Sequence, residues 1–429
     1  MKRALTYILV IFVCAWQWSC VEEINLQTET EFDSALVIEA TITNEMKNQV
    51  IKLSRTYRLE ENGPVTESGA SVRVVGNGVT YTFQEDDPGI YLSTQVFAAQ
   101  PNVDYQLNVS TSDGREYTSN IMQLTPETPI GELYVERGFN ENENEGVSVF
   151  VDTQDDSGSS KYYRFEYEET YKVIAPLYSP QELIVLNDDF IYPQSFLDDF
   201  FDQNGLNVEE MTNFFLDLEF RPEQEQICYN TVVSNNILIT STEELETDQL
   251  DQFRIRFLNR SNTIISHRYS ILVRQFIQSE EAHVFYRTLR DFSNQGSLLS
   301  EIQTGFIEGN VSSVTNQNEL VVGFFEVSAV DERRIYFNYA DLFPGDILPP
   351  YFVTCADFIS PVLLEEDFAH NITNSPIIDA LRSGWVYYES NDVPTYGSPF
   401  GHAPFVLVLE ECGDCTLYGN NEIPDFWEE

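Results

Sequence analysis

Short runs in which apolar and polar residues alternate, separated by turns rich in Gly, Pro and Asn, dominate the first third of the chain. They cover residues 36–42, 50–53, 70–75, 79–83, 90–92 and 105–109. Even spacing of such runs predicts short antiparallel strands packed as an immunoglobulin-like sandwich over residues 35–127. Asn77-Gly78 between two runs predicts a two-residue hairpin. The sequence Pro126-Glu-Thr-Pro129 is typical of a linker.

The rest of the chain, residues 130–429, predicts a larger fibronectin-like β domain. Strand-like alternation begins at residues 146–152 and 162–168 and resumes after an insertion of different composition at about 176–225. One amphipathic helix is predicted to begin at Ser279, because an N-cap residue precedes acidic residues and then apolar residues at helical spacing. Two later runs, at 320–327 and 334–337, predict a hairpin. The fold class is therefore mainly β.

The N-terminal segment has the layout of a secretory signal. Lys2 and Arg3 precede an apolar run that is too short to cross a bilayer, since a stable spanning helix needs roughly 20 residues. The run ends at Ser19-Cys20, and a cysteine at this place is typical of a lipoprotein signal, in which its thiol is acylated. The prediction is a signal peptide over 1–19, lipidation of Cys20 and an acidic tether over 20–34. The alternative is a plain signal peptide in which Cys20 has no role.

Composition indicates a folded protein with a strongly acidic surface. Hydrophobic residues make up 42% and aromatic residues 13% of the chain, and the formal net charge is −47. Such a surface repels nucleic acid and anionic headgroups, so neither is expected as a direct partner. No second apolar stretch reaches membrane-spanning length. The acyl chains on Cys20 are therefore the only expected membrane attachment.

Four cysteines remain besides Cys14 in the signal and Cys20. In an exported protein Cys228, Cys355, Cys412 and Cys415 predict two disulfides, with three connectivities open, and the alternative is four reduced thiols. Cys412 and Cys415 have the Cys-x-x-Cys spacing, but turn-like residues follow them where a redox site needs a helix. We therefore interpret them as structural staples of the C-terminal segment.

Catalytic motifs are absent from the sequence. The four histidines form no His-Glu-x-x-His pair, and no Gly-x-Ser-x-Gly elbow occurs. Abundant carboxylates leave a two-carboxylate hydrolase open, because the sequence does not show their separation in space. Asp152, Asp155 and Asp156 flank a turn and are the candidate ligands for Ca²⁺, with a solvated acidic turn as the alternative. No other cofactor is expected.

The insertion at 176–225 combines acidic and aromatic residues and is the candidate partner or ligand surface, because aromatic side chains anchor interfaces well. The alternative is a subdomain with its own core. The candidate residues are Phe190, Tyr192, Phe196, Phe200, Phe201, Phe214 and Phe215.

The order of several stretches resembles a Bacteroidota lipoprotein family, domain of unknown function 4249. The stretches are the lipoprotein cysteine Cys20, residues 36–43, 64–72, 162–170, 268–275 with 279–282, 309–311 with 323–328, and the ending 412–416 with 424–427. Gly419-Asn-Asn421 departs from the pattern, since a second Gly is expected there. The resemblance implies an outer-membrane lipoprotein, commonly encoded beside a TonB-dependent transporter. It implies no catalytic residues.

Together these features predict a non-catalytic, lipid-anchored outer-membrane protein that faces the cell exterior. Its expected role is that of an accessory or ligand-binding subunit in a complex with a TonB-dependent transporter. Two alternatives stay open, a structural subunit of outer-membrane assembly or secretion machinery and a secreted carboxylate-dependent hydrolase.

Overall fold

The structure is a computed structural model, which describes residues 34–57, 63–188, 208–294, 307, 309–366, 372–391 and 403–429. Within these ranges the chain is mainly β, which confirms the predicted fold class. No helix in the described ranges has both the length and the apolar character needed to span a bilayer.

The strands of the described residues divide among six sheets. In chain order they are β1 (Leu36–Thr43), β2 (Val50–Arg55), β3 (Val65–Thr66), β4 (Ser71–Gly76), β5 (Val79–Asp87), β6 (Ile90–Ser93), β7 (Tyr105–Ser110), β8 (Glu116–Ser119), β9 (Ile130–Phe139), β10 (Glu145–Gln154), β11 (Tyr162–Ile174), β12 (Gln181–Val185), β13 (Leu216–Phe220), β14 (Ile227–Val233), β15 (Leu238–Ser241), β16 (Gln249–Asn259), β17 (Arg268–Gln278), β18 (Val311–Ser313), β19 (Val321–Ser328), β20 (Val330–Asn338), β21 (Phe358–Ile359), β22 (Glu365–Glu366), β23 (Ile372–Asn374), β24 (Trp385–Ser390) and β25 (Phe405–Leu409).

The helices in the described ranges are short, with one exception. They are α1 (Val208–Phe215), α2 (Glu280–Asn294), α3 (Tyr339–Leu342), α4 (Pro376–Arg382) and α5 (Glu410–Gly413), with a 3₁₀ turn at Thr263–Ile265. Helix α2 confirms the predicted amphipathic helix. The Ser279 hydroxyl accepts a hydrogen bond from the Ala282 amide at 3.1 Å, as an N-cap should.

The N-terminal sheet contains ten strands in the order β18-β8-β7-β4-β5-β6-β2-β1-β19, with β3 on β2. Alternation along β1 buries Leu36, Ile38 and Ile42 in its core, each at most 1% exposed. The predicted hairpin at Asn77-Gly78 joins β4 to β5, and both residues have the positive φ that its turn type requires.

Two strands of this sheet come from far along the chain. β19 pairs in parallel with β1, and β18 pairs with β8. The first sheet is therefore not confined to the residues before the boundary predicted near residue 127, because two of its strands lie beyond residue 310. The hairpin predicted for residues 320–337 is wrong, because β19 belongs to the first sheet and β20 pairs with β17 in another.

The second unit is a sandwich of two sheets, one ordered β16-β10-β9 and the other β14-β11-β17-β20, with β15 also on β11. Their inner faces share one core, to which Val147 and Val149 contribute from the first sheet and Tyr163, Phe165 and Ile271 from the second. This packing of two sheets around one core agrees with the predicted fibronectin-like character of the region.

A third, smaller core joins the insertion to the C-terminal region. Hairpin β12–β13 and helix α1 pack against β24, β25 and α4, which bury Leu183, Phe215, Leu216, Ile377 and Leu407 together. The part of the insertion that the structure describes is therefore built into a subdomain.

The four candidate cysteines form two disulfides, which confirms that prediction and settles the connectivity. Cys228 bonds to Cys415, and Cys355 bonds to Cys412. The two cysteines of the Cys-x-x-Cys pair thus bond to different, distant partners. They staple the C-terminal segment to β14 of the second sandwich and to the loop before β21.

Candidate functional site

A cleft of about 620 Å³ lies between the first sheet and the second sandwich. One wall is the outer face of β2, β1 and β19. The other consists of β11, the Phe276 end of β17, helix α2 and the loop of residues 234–237. Ligand sites occur preferentially at domain interfaces, and their volumes run from roughly 300 to 1,000 Å³.

The first wall follows directly from strand alternation. Because the apolar residues of β1 face the core, Glu39 and Thr41 face outward. Strand register then places Glu39 between Lys52 of β2 and Phe324 of β19. Lys52 and Glu39 are both exposed, and among the described residues neither takes part in an ion pair. The rim of the cleft thus presents one base and one acid side by side.

The floor of the cleft holds a buried ion pair between the two units. Arg164 of β11 is 5% exposed and Glu326 of β19 is 1% exposed, with Nη2 and Oε2 3.2 Å apart. Nη1 of the same guanidinium bonds Glu166. Its Cζ lies 4.2 Å from the ring centroid of Phe276 and 4.7 Å from that of Tyr286. Two carboxylates and two aromatic rings therefore stabilise the positive charge of Arg164.

Burial shifts the pKa values of the groups around this ion pair. Loss of solvent raises the pKa of Glu326 and outweighs the attraction of Arg164. Burial likewise raises the pKa of Tyr286 to about 12, so this phenol is neutral at pH 7. For Arg164 burial acts to lower the pKa, but the surrounding Tyr286, Glu326 and Glu166 raise it overall. The guanidinium is charged at every relevant pH.

Three buried groups on the floor lack hydrogen-bond partners in the described structure. They are Nε of Arg164, Oε1 of Glu326 and the side-chain amide of the neighbouring Gln278. Leaving such groups unsatisfied costs about 1–3 kcal/mol each. These atoms are closed to solvent, and Glu326 and Gln278 are not among the residues that line the cleft, so the groups belong to the packing between the two units.

A second buried carboxylate, that of Glu169, is bound more completely than that of Glu326. Glu169, inside the second sandwich, accepts hydrogen bonds from Nε and Nη2 of Arg256 and from the Tyr269 hydroxyl at 2.5 Å. Both of its oxygens are therefore engaged within the protein. This network has the character of a structural bridge between two sheets.

The predicted calcium ligands do not converge. The Asp155 carboxylate accepts from Ser157, Ser159 and Ser160, and these bonds, despite opposing burial, hold its pKa well below the usual range. Oδ1 of Asp152 accepts from Gln252, and Oδ1 of Asp156 accepts from Gln154. Across the described residues no group of three or more His, Cys, Asp or Glu side chains could hold a metal. The geometry is that of the alternative, a hydrogen-bonded acidic turn.

Two of the predicted surface aromatics are in the described structure, and both belong to the third core. Phe215 is buried, and Phe214 packs against the same cluster. For these two residues the subdomain interpretation replaces that of an interaction surface. The other five, Phe190, Tyr192, Phe196, Phe200 and Phe201, lie outside the described residues, as does Cys20.

Sequence reasoning missed the cleft, although a signal was present. Glu326 is the lone charge in the apolar run of residues 321–327, and Arg164 lies between aromatic residues on a predicted strand. A charge at such a position is almost never fully buried unless it is paired. The sequence thus indicated that Arg164 and Glu326 each have a buried partner. It did not indicate that they meet, because this depends on the pairing of β19 with β1, which was not predicted.

The fold is that of a mainly β protein in which a ten-stranded sheet lies against a two-sheet sandwich, with a cleft between them. A family model described as Domain of unknown function (DUF4249) matches residues 21–334, about three quarters of the chain. The protein therefore belongs to this family, as the sequence resemblance indicated. The match ends within β20, so it spans both walls of the cleft. A comparison with curated proteins finds no match.

Proposed function

We propose that this protein is a lipid-anchored, non-catalytic binding subunit on the outer surface of the outer membrane of a bacterium of the Bacteroidota. In this role it is an accessory component of a complex with a TonB-dependent transporter. The cleft between the two units carries the binding part of the proposal. The signal-like segment ending at Cys20 and the character implied by the family resemblance support the anchoring and partner parts.

The chemistry of the cleft favours binding over reaction. The floor carboxylate of Glu326 is held against Arg164, and the guanidinium is stacked between two aromatic rings. A buried carboxylate in such a pair is poorly available as a nucleophile or proton carrier. Two disulfides in the described chain agree with an exported protein.

The anchor is tested by metabolic labelling with an alkyne fatty acid. Wild-type protein should incorporate label and partition with outer membranes. The Cys20→Ala variant should lose both properties, and Cys14→Ala should lose neither. Label retained in Cys20→Ala would refute the anchor.

The partner is tested by a detergent pull-down from native outer membranes, followed by mass spectrometry. The tag should follow Glu429 on a flexible linker, because the preceding residues pack on the second sandwich. Stoichiometric recovery of a TonB-dependent transporter supports the proposal. Recovery of assembly or secretion components instead would replace it with the structural-subunit alternative.

A further inference from the structure

One sheet edge of the second sandwich, along β14, is open to solvent, and we infer that it binds an extended, non-acidic segment of a partner protein by strand addition. The inference rests on the proposed complex in the outer membrane, but it does not depend on the cleft. It is carried by the direction of the β14 backbone groups, by a groove beside them and by the lack of edge protection along this strand.

The outward row of β14 is set by its pairing with β11. Directly after the strand, Ser234 donates its amide to the Tyr167 carbonyl at 2.9 Å or less, so the backbone groups of Val232, two residues earlier, also point at β11. The residues between them in this alternation, Thr231 and Val233, therefore point their N–H and C=O groups away from β11. Among the described residues these four backbone groups have no hydrogen-bond partner.

The chain itself shows how a segment pairs with this row. Tyr229 is on the same outward row, and its amide donates to the Asn420 carbonyl at 2.7 Å. The Asn420 amide donates back to the Tyr229 carbonyl at 2.8 Å. No other residue of the described tail pairs with the row. A strand added over Thr231 and Val233 would thus continue the antiparallel pairing that Asn420 begins.

A groove of about 400 Å³ lies beside the open row, and its lining indicates what the added segment carries. Thr231 lines one side, and the tail residues Glu422, Ile423 and Pro424 line the other. Ile423 is 67% exposed, so an apolar side chain of the segment can pack on it. Glu422 is exposed and takes part in no ion pair among the described residues, so a basic side chain can meet it.

The β14 edge lacks the devices with which proteins usually protect a free sheet edge, namely charges, prolines and bulges. Residues 226–242, which contain β14 and β15, include no charge and no proline, although 22% of the chain is charged. The pairing of β14 with β11 has no register shift. Edge strand β16 of the facing sheet, by contrast, shows two register shifts and carries Asp251, Arg254 and Arg256. An unprotected edge is what strand addition requires.

Charge favours a foreign segment over a second copy of this chain. Each copy carries a net charge of −47, so two copies repel each other as their edges approach. A segment without carboxylates avoids this repulsion. Because the lipid anchor of the proposed complex holds both partners in one membrane, their effective concentration is high and a few backbone hydrogen bonds suffice. The loop of residues 234–237, which lines the cleft, follows β14 directly, so the docked segment lies next to the proposed ligand site.

The test is photo-crosslinking in native cells with p-benzoylphenylalanine in place of Val233 or Ile423, which are 62% and 67% exposed. The control position is Ile347, 91% exposed on the loop that follows β20 at the opposite edge of the sheet. We expect Val233 and Ile423, but not Ile347, to crosslink to a TonB-dependent transporter through a segment without Asp or Glu. Crosslinks to a second copy of the chain, or none at either position, would overturn the inference.

A proline variant tests the backbone pairing itself. Val233→Pro removes the outward N–H, and proline is tolerated in an edge strand where that group faces solvent. Val233→Thr keeps the N–H and the side-chain shape and is the matched control. Val233→Pro should lower recovery of the transporter in the pull-down by about two- to tenfold relative to Val233→Thr, as expected for one lost hydrogen bond.

The outcomes separate this inference from the proposed function. Equal recovery from both variants, with folding verified by circular dichroism, would overturn the inference and leave the proposed complex standing. Crosslinks from Val233 and Ile423 to a different outer-membrane protein, through a segment of the expected kind, would support the docking edge and remove the transporter from the proposed function. Wild-type protein that recovers and crosslinks no membrane protein would remove both.

Discussion

Replacing Gly323 with alanine should destabilise the first sheet at the pairing of β19 with β1. Gly323 lies in β19 with φ +147°, a conformation that residues with a Cβ rarely adopt. A Cβ at this position would lie 2.2 Å from the carbonyl oxygen of Ile38, in the paired strand β1. The backbone of β1 cannot rotate away as a side chain can, so the parallel pairing must open.

The magnitude follows from two separate penalties. Backbone strain of this kind costs about 1–3 kcal/mol, and overpacking costs about 1–3 kcal/mol more. Loss of glycine entropy in the unfolded chain offsets about 0.4–1 kcal/mol. Gly323→Ala should thus lose about 1–5.5 kcal/mol of stability. Gly63→Ala has a positive φ of 122° but no atom within 4 Å, and Gly138→Ala has neither problem, so they separate strain from contact.

Hydrogen exchange with mass spectrometry is the appropriate assay, because a protein of several units need not unfold in one step. Peptides from β1 and β2 should exchange faster in Gly323→Ala, with β10 and β16 less affected. Gly63→Ala should lose only the strain penalty, and Gly138→Ala should be unchanged or slightly more stable. If Gly323→Ala is no less stable than Gly63→Ala, the steric argument is refuted.

Three further predictions concern other parts of the chain. Burial, aided by nearby arginines, lowers the pKa of His283, so the unfolded state binds its proton more readily and stability should fall as the pH drops from about 7 to 5. The unfolding free energy, measured by urea denaturation at each pH, should depend less on pH in His283→Phe. An unchanged pH dependence would show that His283 is not the group responsible. The Cys355→Ala/Cys412→Ala double variant should lose about 4 kcal/mol of the stability measured in urea, because the bond closes a 57-residue separation. Reduced wild type, which loses both disulfides, should be less stable still. Trp427→Ala should speed hydrogen exchange in β14, since the indole packs on Tyr229 at 4.9 Å, and unchanged exchange would show that the C-terminal tail adds no stability there.

Local sequence patterns predicted most of the elements, because their signals come from neighbouring residues. Alternation located β1, and Asn77-Gly78 located its hairpin through the φ values that this turn needs. The capping residue Ser279 located the start of α2 to the residue. In each case the determining contact spans only a few positions along the chain.

Pairing over long distances could not be predicted in the same way. β19 has the pattern of a buried strand, and that pattern is equally compatible with a hairpin to β20 or with pairing to β1, almost 300 residues earlier. The decisive feature is steric. Gly323 lets β19 approach β1, and a Cβ on Gly309 would lie 1.6 Å from the Gly323 carbonyl oxygen. One sequence does not reveal which backbone each glycine meets.

The same pairing fixes the two walls of the cleft relative to each other. β19 and β20 are separated only by Ala329, which is 2% exposed, so the chain passes directly from one unit to the other. At this crossing Thr125 Oγ1 donates to the Ile277 carbonyl at 2.8 Å and accepts from the Ala329 amide at 2.9 Å. The predicted linker is also packed, since Thr128 is buried and donates to the Ser160 hydroxyl at 2.7 Å.

A hinge between the units would have to break these bonds together with the Arg164–Glu326 pair. Separating that pair would leave Glu326 without its partner, although Arg164 would keep Glu166, and breaking a buried pair costs about 3–5 kcal/mol. The proposed binding in the cleft is therefore expected to need no domain closure, and a rigid site loses little conformational entropy when a ligand enters. Free and ligand-bound forms should superimpose within about 1 Å over both walls. With both walls fixed, the effect of a single side-chain variant on the proposed binding would report the contacts that this side chain makes rather than a change in the arrangement of the units.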